Sequence, residues 1–373
     1  MGSVIIKEVE TRKDLREFIY LPEKVHRDDP DWLPPIYMDD WELFDKKKNR
    51  SYQYADAVFY LAYREKKAVG RIMGIINTRY NEINNENHGR FCFLECYEDQ
   101  EVAHALLSRV EEWARQHGMV KIVGPLGFSD KDPQGVQIEG FEYPRFIVAA
   151  NNLPYLPVLI EQEGFVKKVD LVAYRIKIPE ELPLIYQKVL SRVAHNKEYR
   201  IIEFSSKKEI KPYIIPVLEL MNQTFMEIYG FVPLTDKEKS DFAARYMLII
   251  DPRFVKLVES GGEIVGFAIG IPDISPGIKA ARGRLLPFGL LKILKEAKRT
   301  KNLLMMLGGV KKPFRGQGID VLMAVKILES SIRSKMETID VHVILETNTR
   351  MRAECERVDG QIVKKFRIYQ KDL

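Results

Sequence analysis

Apolar positions along the chain fall into short alternating runs and longer stretches of helical spacing, and the same succession occurs twice. Ile5 and Ile6 precede a polar turn and an amphipathic stretch that begins near Asp14 and Leu15. Ile201 and Ile202 precede the same pattern, beginning near Glu209 and Ile210. Residues 58–74 predict strand, charged turn, strand, with Gly70 and Gly74 in the second strand; residues 254–270 predict the same, with Gly266 and Gly270. Late in each half a helix is expected from an asparagine to a glycine, Asn152 to Gly164 and Asn348 to Gly360. A strand then runs through Tyr174 or Tyr369. Ile5/Ile201, Gly70/Gly266, Gly74/Gly270, Asn152/Asn348 and Gly164/Gly360 are all separated by 196 residues. Matches in one order at one spacing point to an internal duplication.

The middle of each half departs from that spacing. Extra sequence lies around 124–150 in the first half and 272–302 in the second. Each half reads β-α-(α)-β-β-β-α-β-α-β, which predicts an α/β fold of two units, each a mixed sheet flanked by helices. Residues 179–199 form the expected boundary, with Pro179, Pro183 and a helical segment over 185–193. Leu182, Leu184, Ile185, Val189 and Leu190 make this linker too apolar for a free tether. Units 1–178 and 200–373 are therefore expected to pack together, with a substrate cleft between them.

A chain of 373 residues has room for two to three domains of ~150 residues. At 46% apolar and 30% charged it has the composition of a globular protein, which excludes a disordered chain. No apolar run reaches the ~18 residues of a membrane span, so no stable insertion is expected. Residues 1–8 lack the pattern of a signal peptide, and Ile6 stands where a myristoylation site wants Ser or Thr. Three cysteines make no disulfide framework, so a cytoplasmic location is expected. The net charge of +5 is too small to argue for nucleic acid. It is uneven: residues 1–178 hold 25 basic and 29 acidic side chains, the remainder 33 and 24.

The segment richest in chemistry is 303–329. An apolar strand to about Val310 feeds a glycine-containing turn and then a helix with apolar Ile319, Leu322, Met323, Val325 and Leu328. Free backbone N–H groups and the positive end of the helix dipole converge at such a turn, which makes it an anion cradle. Gly316 and Gly318 let a pyrophosphate lie against the backbone, and Arg315 adds charge. The string G-x-x-x-x-G-K-[ST] is absent, and Val321 stands where the dinucleotide fingerprint needs its third glycine.

Arg315-x-x-Gly318-x-Asp320, with Val310 and Pro313 before it, resembles the coenzyme A loop of the GNAT acyltransferase superfamily, R/Q-x-x-G-x-G/A. The following strand to Asn348 and the helix end at Gly360 continue the likeness. The resemblance covers 200–373 closely and 1–178 as a degenerate copy. The whole chain is similar to tandem double-GNAT proteins, an arrangement shared with Fem-type aminoacyl transferases and N-myristoyltransferases.

The resemblance implies an acyltransferase that uses acetyl-CoA or another acyl-CoA, with an unidentified amine as acceptor and N-acetylation as the expected reaction. It implies that Gly308, Gly309 and Val310 hold the pantetheine and supply a backbone N–H to the oxyanion. Arg315, Gly316, Gln317, Gly318 and Ile319 hold the pyrophosphate, and Asn348 fixes the cofactor arm. The last Gly/Ala of the loop is here Asp320, and the family's tyrosine acid is replaced by Cys355, a candidate acid. Glu346 is a candidate base. The equivalent first-half segment, 97–107, has no glycine and carries Glu98, Asp99 and Glu101, so coenzyme A is expected once per chain. The alternatives are a non-catalytic GNAT-like binding protein and a Fem-type aminoacyl transferase.

Asp130, Asp132, Glu139 and Glu142 lie in the Gly/Pro-rich insertion and are candidates to receive an amine. Cys92 and Cys96 on one strand would lie about 13 Å apart, too far for one zinc, so no metal site is expected. The insertion 278–301 mixes Leu285, Leu286, Phe288, Leu290, Leu291, Ile293 and Leu294 with eight basic residues. It can serve as a lid, as a membrane-surface helix, or as a helix packed on its own domain, and the last is expected.

Overall fold

The repeated pattern becomes a repeated order of elements in the computed structural model, which describes residues 2–147, 149–182, 184, 186, 187 and 198–373. Most of the linker helix expected at 185–193 lies outside the described residues. The strands are β1 (Ile5–Glu8), β2 (Ala55–Arg64), β3 (Lys67–Asn77), β4 (His88–Cys96), β5 (Lys121–Gly124), β6 (Val136–Glu139) and β7 (Val166–Lys177) in the first half. Then come β8 (Arg200–Glu203), β9 (Val255–Ser260), β10 (Glu263–Pro272), β11 (Asn302–Val310), β12 (Thr338–Leu345) and β13 (Gln361–Asp372). Helices Gln100–Gln116 and Ile319–Arg333 occupy equivalent places between the fourth and fifth strands. Leu156–Gln162 and Thr349–Glu356 do so before the last strand. The fold is mixed α/β, as expected.

The chain forms two compact units, and both draw on the two halves of the sequence. Unit 1 comprises Met1–Val172, Ile274–Lys295 and Val363–Leu373; unit 2 comprises Ala173–Asp273 and Glu296–Ile362. In unit 1 the strand order is β1-β2-β3-β4-β5-β13-β7, with β6 on β13. The first four strands are antiparallel, and β4 and β5 are parallel. In unit 2 the order is β7-β12-β11-β10-β9-β8, with β11 and β12 the parallel pair. The last strand of each half is thus exchanged. β13 lies beside β5 in unit 1, and the end of β7 lies beside β12 in unit 2.

The exchange is locked by matching side chains. In unit 1 the Tyr369 hydroxyl donates to Glu161 at 2.7 Å, and Arg367 forks onto Asp170 at 2.8 and 3.1 Å. In unit 2 the Tyr174 hydroxyl donates to Glu356 at 2.7 Å, and Arg175 forks onto Asp340 with two 2.8 Å bonds. A tyrosine of the exchanged strand meets a glutamate of the short helix in each case.

The repeated glycines have a packing cause. A Cβ on Gly70 would lie 2.8 Å from both Val102 and Leu106 of the Gln100–Gln116 helix. A Cβ on Gly266 would lie 2.8 Å from Ile319, the first residue of the Ile319–Arg333 helix. In both units a helix rests directly on strand backbone, and the bare glycine sets how close it comes. On the opposite face of unit 1, Phe18, Ile19 and Leu21 cover Phe59, Leu61 and Met73. In unit 2, Val217, Leu220 and Met221 cover Leu257 and Phe267.

The insertion 278–301, expected to pack on its own domain, is divided: Ile274–Lys295 belongs to unit 1 and only the part from Glu296 belongs to unit 2. Gly283 has φ +69°, and a Cβ there would stand 2.1 Å from the Pro35 carbonyl. This close approach lets the Gly283 carbonyl accept the Tyr37 N–H at 3.0 Å, while Arg284 pairs with Glu23 at 2.7 Å.

Candidate functional site

In unit 2 the parallel ladder between β11 and β12 is short. Asn302–Met305 pair with Thr338–Val341, and the ladder stops there. At the same level the β10–β11 register slips by one residue: Ile269 faces Leu307 and Gly270 faces Met305, which leaves Met306 as a bulge. Residues 306–310 therefore present an edge that β12 no longer covers. Val343 on β12 has φ +46°, a strained conformation for a β-branched residue, at the same parting of the strands. Unit 1 repeats the design, since β4 and β5 pair only over His88–Arg90 and Phe93 has φ +51°.

β11 leads into the glycine turn. Gly316 and Gly318 have φ +80° and +84°, the left-handed region that glycine adopts without penalty. Among the described residues, the N–H groups of Gly316, Gln317, Gly318, Ile319 and Asp320 meet no protein acceptor. A Cβ on Gly316 would touch nothing within 4 Å, so the turn is open. The Gln317 side chain is held by the Tyr199 hydroxyl and donates to the Pro313 carbonyl.

Arg315 is turned toward the protein. Its guanidinium donates to the Val310 carbonyl at 3.1 Å and the Thr224 carbonyl at 3.3 Å, and it pairs with Glu227 at 3.2 Å. It therefore braces the turn against the strand and the Ile214–Thr224 helix. Asp320, the departure from the family pattern, also turns back: its carboxylate accepts the Val321 N–H at 3.0 Å. A carboxylate at this place favours the helix start and leaves the upstream amides free.

Asn348 is the N-cap of the Thr349–Glu356 helix, accepting the Met351 N–H at 3.2 Å. Glu346 stands just before it, and its carbonyl accepts from Arg352 at 3.1 Å. Cys355 is 2% exposed, and burial pushes its thiol up to about 12, so it stays protonated at neutral pH. Near this helix the Tyr174 hydroxyl receives a 3.2 Å bond from Arg352. Burial raises Tyr174 above its ordinary value, so it too is a neutral hydroxyl. Nothing in the local sequence of β7 signals that Tyr174 joins this helix, because strand exchange brings it there.

The acidic candidates of the insertion lie in unit 1. Asp130 pairs with Lys131 at 2.9 Å. Asp132 is tucked against Gly127, accepts the Ser129 N–H at 3.2 Å, and is raised by burial. Glu139 pairs with Lys365 at 2.9 Å, and Glu142 is exposed. The first-half counterpart of the glycine turn is filled by the chain itself. Asp99 accepts the Val102 N–H, and Arg64 bridges Asp99 and Glu101 at 2.8 and 2.9 Å.

An apolar groove, unforeseen from the sequence, lies in unit 2 beside the uncovered edge. It is narrow as the side chains stand, with a cavity of about 50 Å³ that opens to solvent. Val217, Leu218, Phe242, Met247 and Ile269 line it, and Met306 and Leu307 of β11 close one side. These β11 residues directly precede Gly308. The open glycine turn, the free amides and the uncovered strand edge fit an acyl-CoA; Arg315, braced by Glu227, is the member of the set committed elsewhere.

No protein-family model matches the chain. The bacterial ceramide synthase of Caulobacter vibrioides is 28% identical over 373 residues, covering 98% of this chain and 96% of that protein. Protein YghO of Escherichia coli K12 is 26% identical over 381 residues, covering 99% and 95%. A tandem GNAT protein from the clavulanic acid biosynthesis pathway matches with a TM-score of 0.56 at 12% identity, covering 99% of this chain and 98% of its own. A GCN5-related N-acetyltransferase from Sphaerobacter thermophilus matches with a TM-score of 0.54 at 15% identity, covering 99% and 95%. Both structural likenesses span essentially the whole chain and both units, and the chain thus has the tandem GNAT fold.

Proposed function

We propose that the protein transfers an acyl group from an acyl-CoA to an amine, and that the acyl group is a long aliphatic chain rather than acetyl. The observation that carries this reading is the apolar groove that opens beside Met306 and Leu307, directly before Gly308 on the uncovered strand edge. A bound acyl-CoA would supply the activated acyl group. The amides of Gly316 to Asp320 would hold the pyrophosphate by the same physics that binds anions at other helix starts. The edge of 306–310 would position the arm and offer backbone N–H groups to a developing oxyanion. Glu346 is the base candidate, and the neutral Tyr174 and Cys355 groups are the acid candidates. The name of the C. vibrioides relative, a ceramide synthase, fits this reading, because a ceramide is the amide of a long-chain amine.

Calorimetric titration with acetyl-, octanoyl- and palmitoyl-CoA tests it. Each methylene removed from water adds ~0.8 kcal/mol, so octanoyl-CoA should bind at least tenfold more tightly than acetyl-CoA. Ile269→Trp should fill the groove and erase that preference while coenzyme A itself still binds. Equal affinity for all three acyl-CoAs would remove the long chain from the reading, and no binding at all would remove the transferase. A second reading, a non-catalytic binding protein, is favoured by the inward commitment of Arg315. Release of free thiol from palmitoyl-CoA in the presence of a long-chain amine excludes it.

A further inference from the structure

We infer that the turn and helix over residues 282–295 form a docking surface for an anionic lipid bilayer. Helix Gly289–Ala297 is amphipathic in an inverted sense. Its inner face is Gly289 and Ile293, which are buried, while its outer face presents Leu290, Leu291 and Leu294. A helix on the surface of a globular protein normally turns its polar face outward. The turn before it adds Leu286 at 80% exposure and Phe288 at 67%. Single exposed leucines need no explanation, but five large apolar side chains within nine residues make a patch.

The patch is not a frayed segment. A Cβ on Gly289 would lie 1.7 Å from the Arg284 carbonyl, the Leu290 N–H donates to Leu285 at 2.9 Å, and Arg284 stacks on Tyr20 and Tyr37. The base of the segment is seated, and its apolar side chains still point to solvent.

Charge decides what covers it. Arg282, Lys292 and Lys295 are exposed on this segment, Lys292 with its ammonium on the Ala280 carbonyl at 3.1 Å, while the exposed Lys279 is paired with Asp31. Of the acidic groups near it, Glu23 is used by Arg284 and Asp31 by Lys279, and Glu296 is the one carboxylate on the helix itself. Lys292 and Lys295 follow the leucine face on one side of the helix, so apolar side chains can enter the acyl boundary while the ammonium groups stay at headgroup level. A basic rim around an apolar face is complementary to anionic headgroups over hydrocarbon; an uncharged apolar partner would leave the charges of Arg282, Lys292 and Lys295 without a counter-charge across the contact. No described helix is long and apolar enough to cross a membrane, so this contact would be peripheral.

Flotation of the full chain with vesicles tests the inference without reference to any enzymatic activity. The protein should bind vesicles of phosphatidylcholine with phosphatidylglycerol, bind pure phosphatidylcholine much more weakly, and be released by high salt. The triple variant Leu286→Ser, Phe288→Ser, Leu291→Ser should lose at least about a hundredfold in partitioning with its melting temperature unchanged, because these side chains leave little packing behind. Lys292→Glu with Lys295→Glu should lose about tenfold or more and most of the salt dependence. Equal partitioning of wild type and triple variant would overturn the inference. So would wild type that ignores both vesicles but self-associates in light scattering until the triple change is made, since the patch would then bind a second copy of this chain.

Discussion

Gly266 seats the helix that carries the open glycine turn, the proposed cofactor cradle, and replacing it with alanine separates positioning from stability. The added Cβ would stand 2.8 Å from Ile319, closer than real Cβ atoms come, and 3.3 Å from the tip of Met323, so the start of the Ile319–Arg333 helix must move outward. Overpacking of this kind costs typically ~1–3 kcal/mol, which lowers the melting temperature by about 2–12 °C in a unit of this size. Ile319 is the first residue of the helix that bears the free amides, so the cradle moves with it. A shift near 1 Å can cost about a hundredfold in a site that depends on geometry. Gly70→Ala is the matched control. It crowds Val102 and Leu106 by the same 2.8 Å in unit 1, where the equivalent turn has no glycine and carries its own carboxylates. Scanning fluorimetry should give similar destabilisation for the two variants, while calorimetry with coenzyme A should show weakened binding only for Gly266→Ala. If Gly266→Ala is destabilised yet binds normally, or Gly70→Ala loses binding equally, the proposed role of the seat is wrong.

Two further outcomes follow from single residues. Gly318→Glu should abolish coenzyme A binding in calorimetry while the protein stays folded, since a side chain at φ +84° costs only ~1–2 kcal/mol but puts a negative charge in the cradle; normal binding would refute the loop assignment. Asp40 is buried, and desolvation raises its carboxyl from 3.8 to about 7 despite nearby Arg71, so the folded chain holds a proton that the unfolded chain releases. The associated stability, at most about 4 kcal/mol, is full below pH 4 and is lost as pH rises through 7. The melting temperature of wild type should therefore fall more steeply from pH 5 to 8 than that of Asp40→Asn, and equal slopes would rule this out.

The duplication was legible because its signals are local. Strand alternation and Asn348, the N-cap of Thr349–Glu356, each report on a few neighbouring residues, and periodicity carries that information directly; Asn152 does not begin its helix, which starts at Leu156, because its side chain holds the Gln137 backbone instead. The glycine turn was legible for the same reason: Gly316 and Gly318 directly before an apolar helix mark a sharp turn, and both adopt the left-handed conformation. The role of Arg315 was not, since sequence places a guanidinium beside the cradle but cannot say that Glu227 and the Thr224 carbonyl will hold it.

The order of elements and the place of the open glycine turn, present in the second half and without a glycine counterpart at 97–107 in the first, were thus determined by the sequence itself. The exchange of β7 and β13, the pairing of Tyr174 with Glu356, the groove beside Met306 and the seating of 274–295 on the first unit were decided only by tertiary structure. Equivalent strands of a duplicated chain carry nearly the same alternating pattern, so either last strand can satisfy either sheet edge. Which one does so depends on contacts between residues some 200 positions apart, such as Tyr369 with Glu161, to which no local pattern is sensitive.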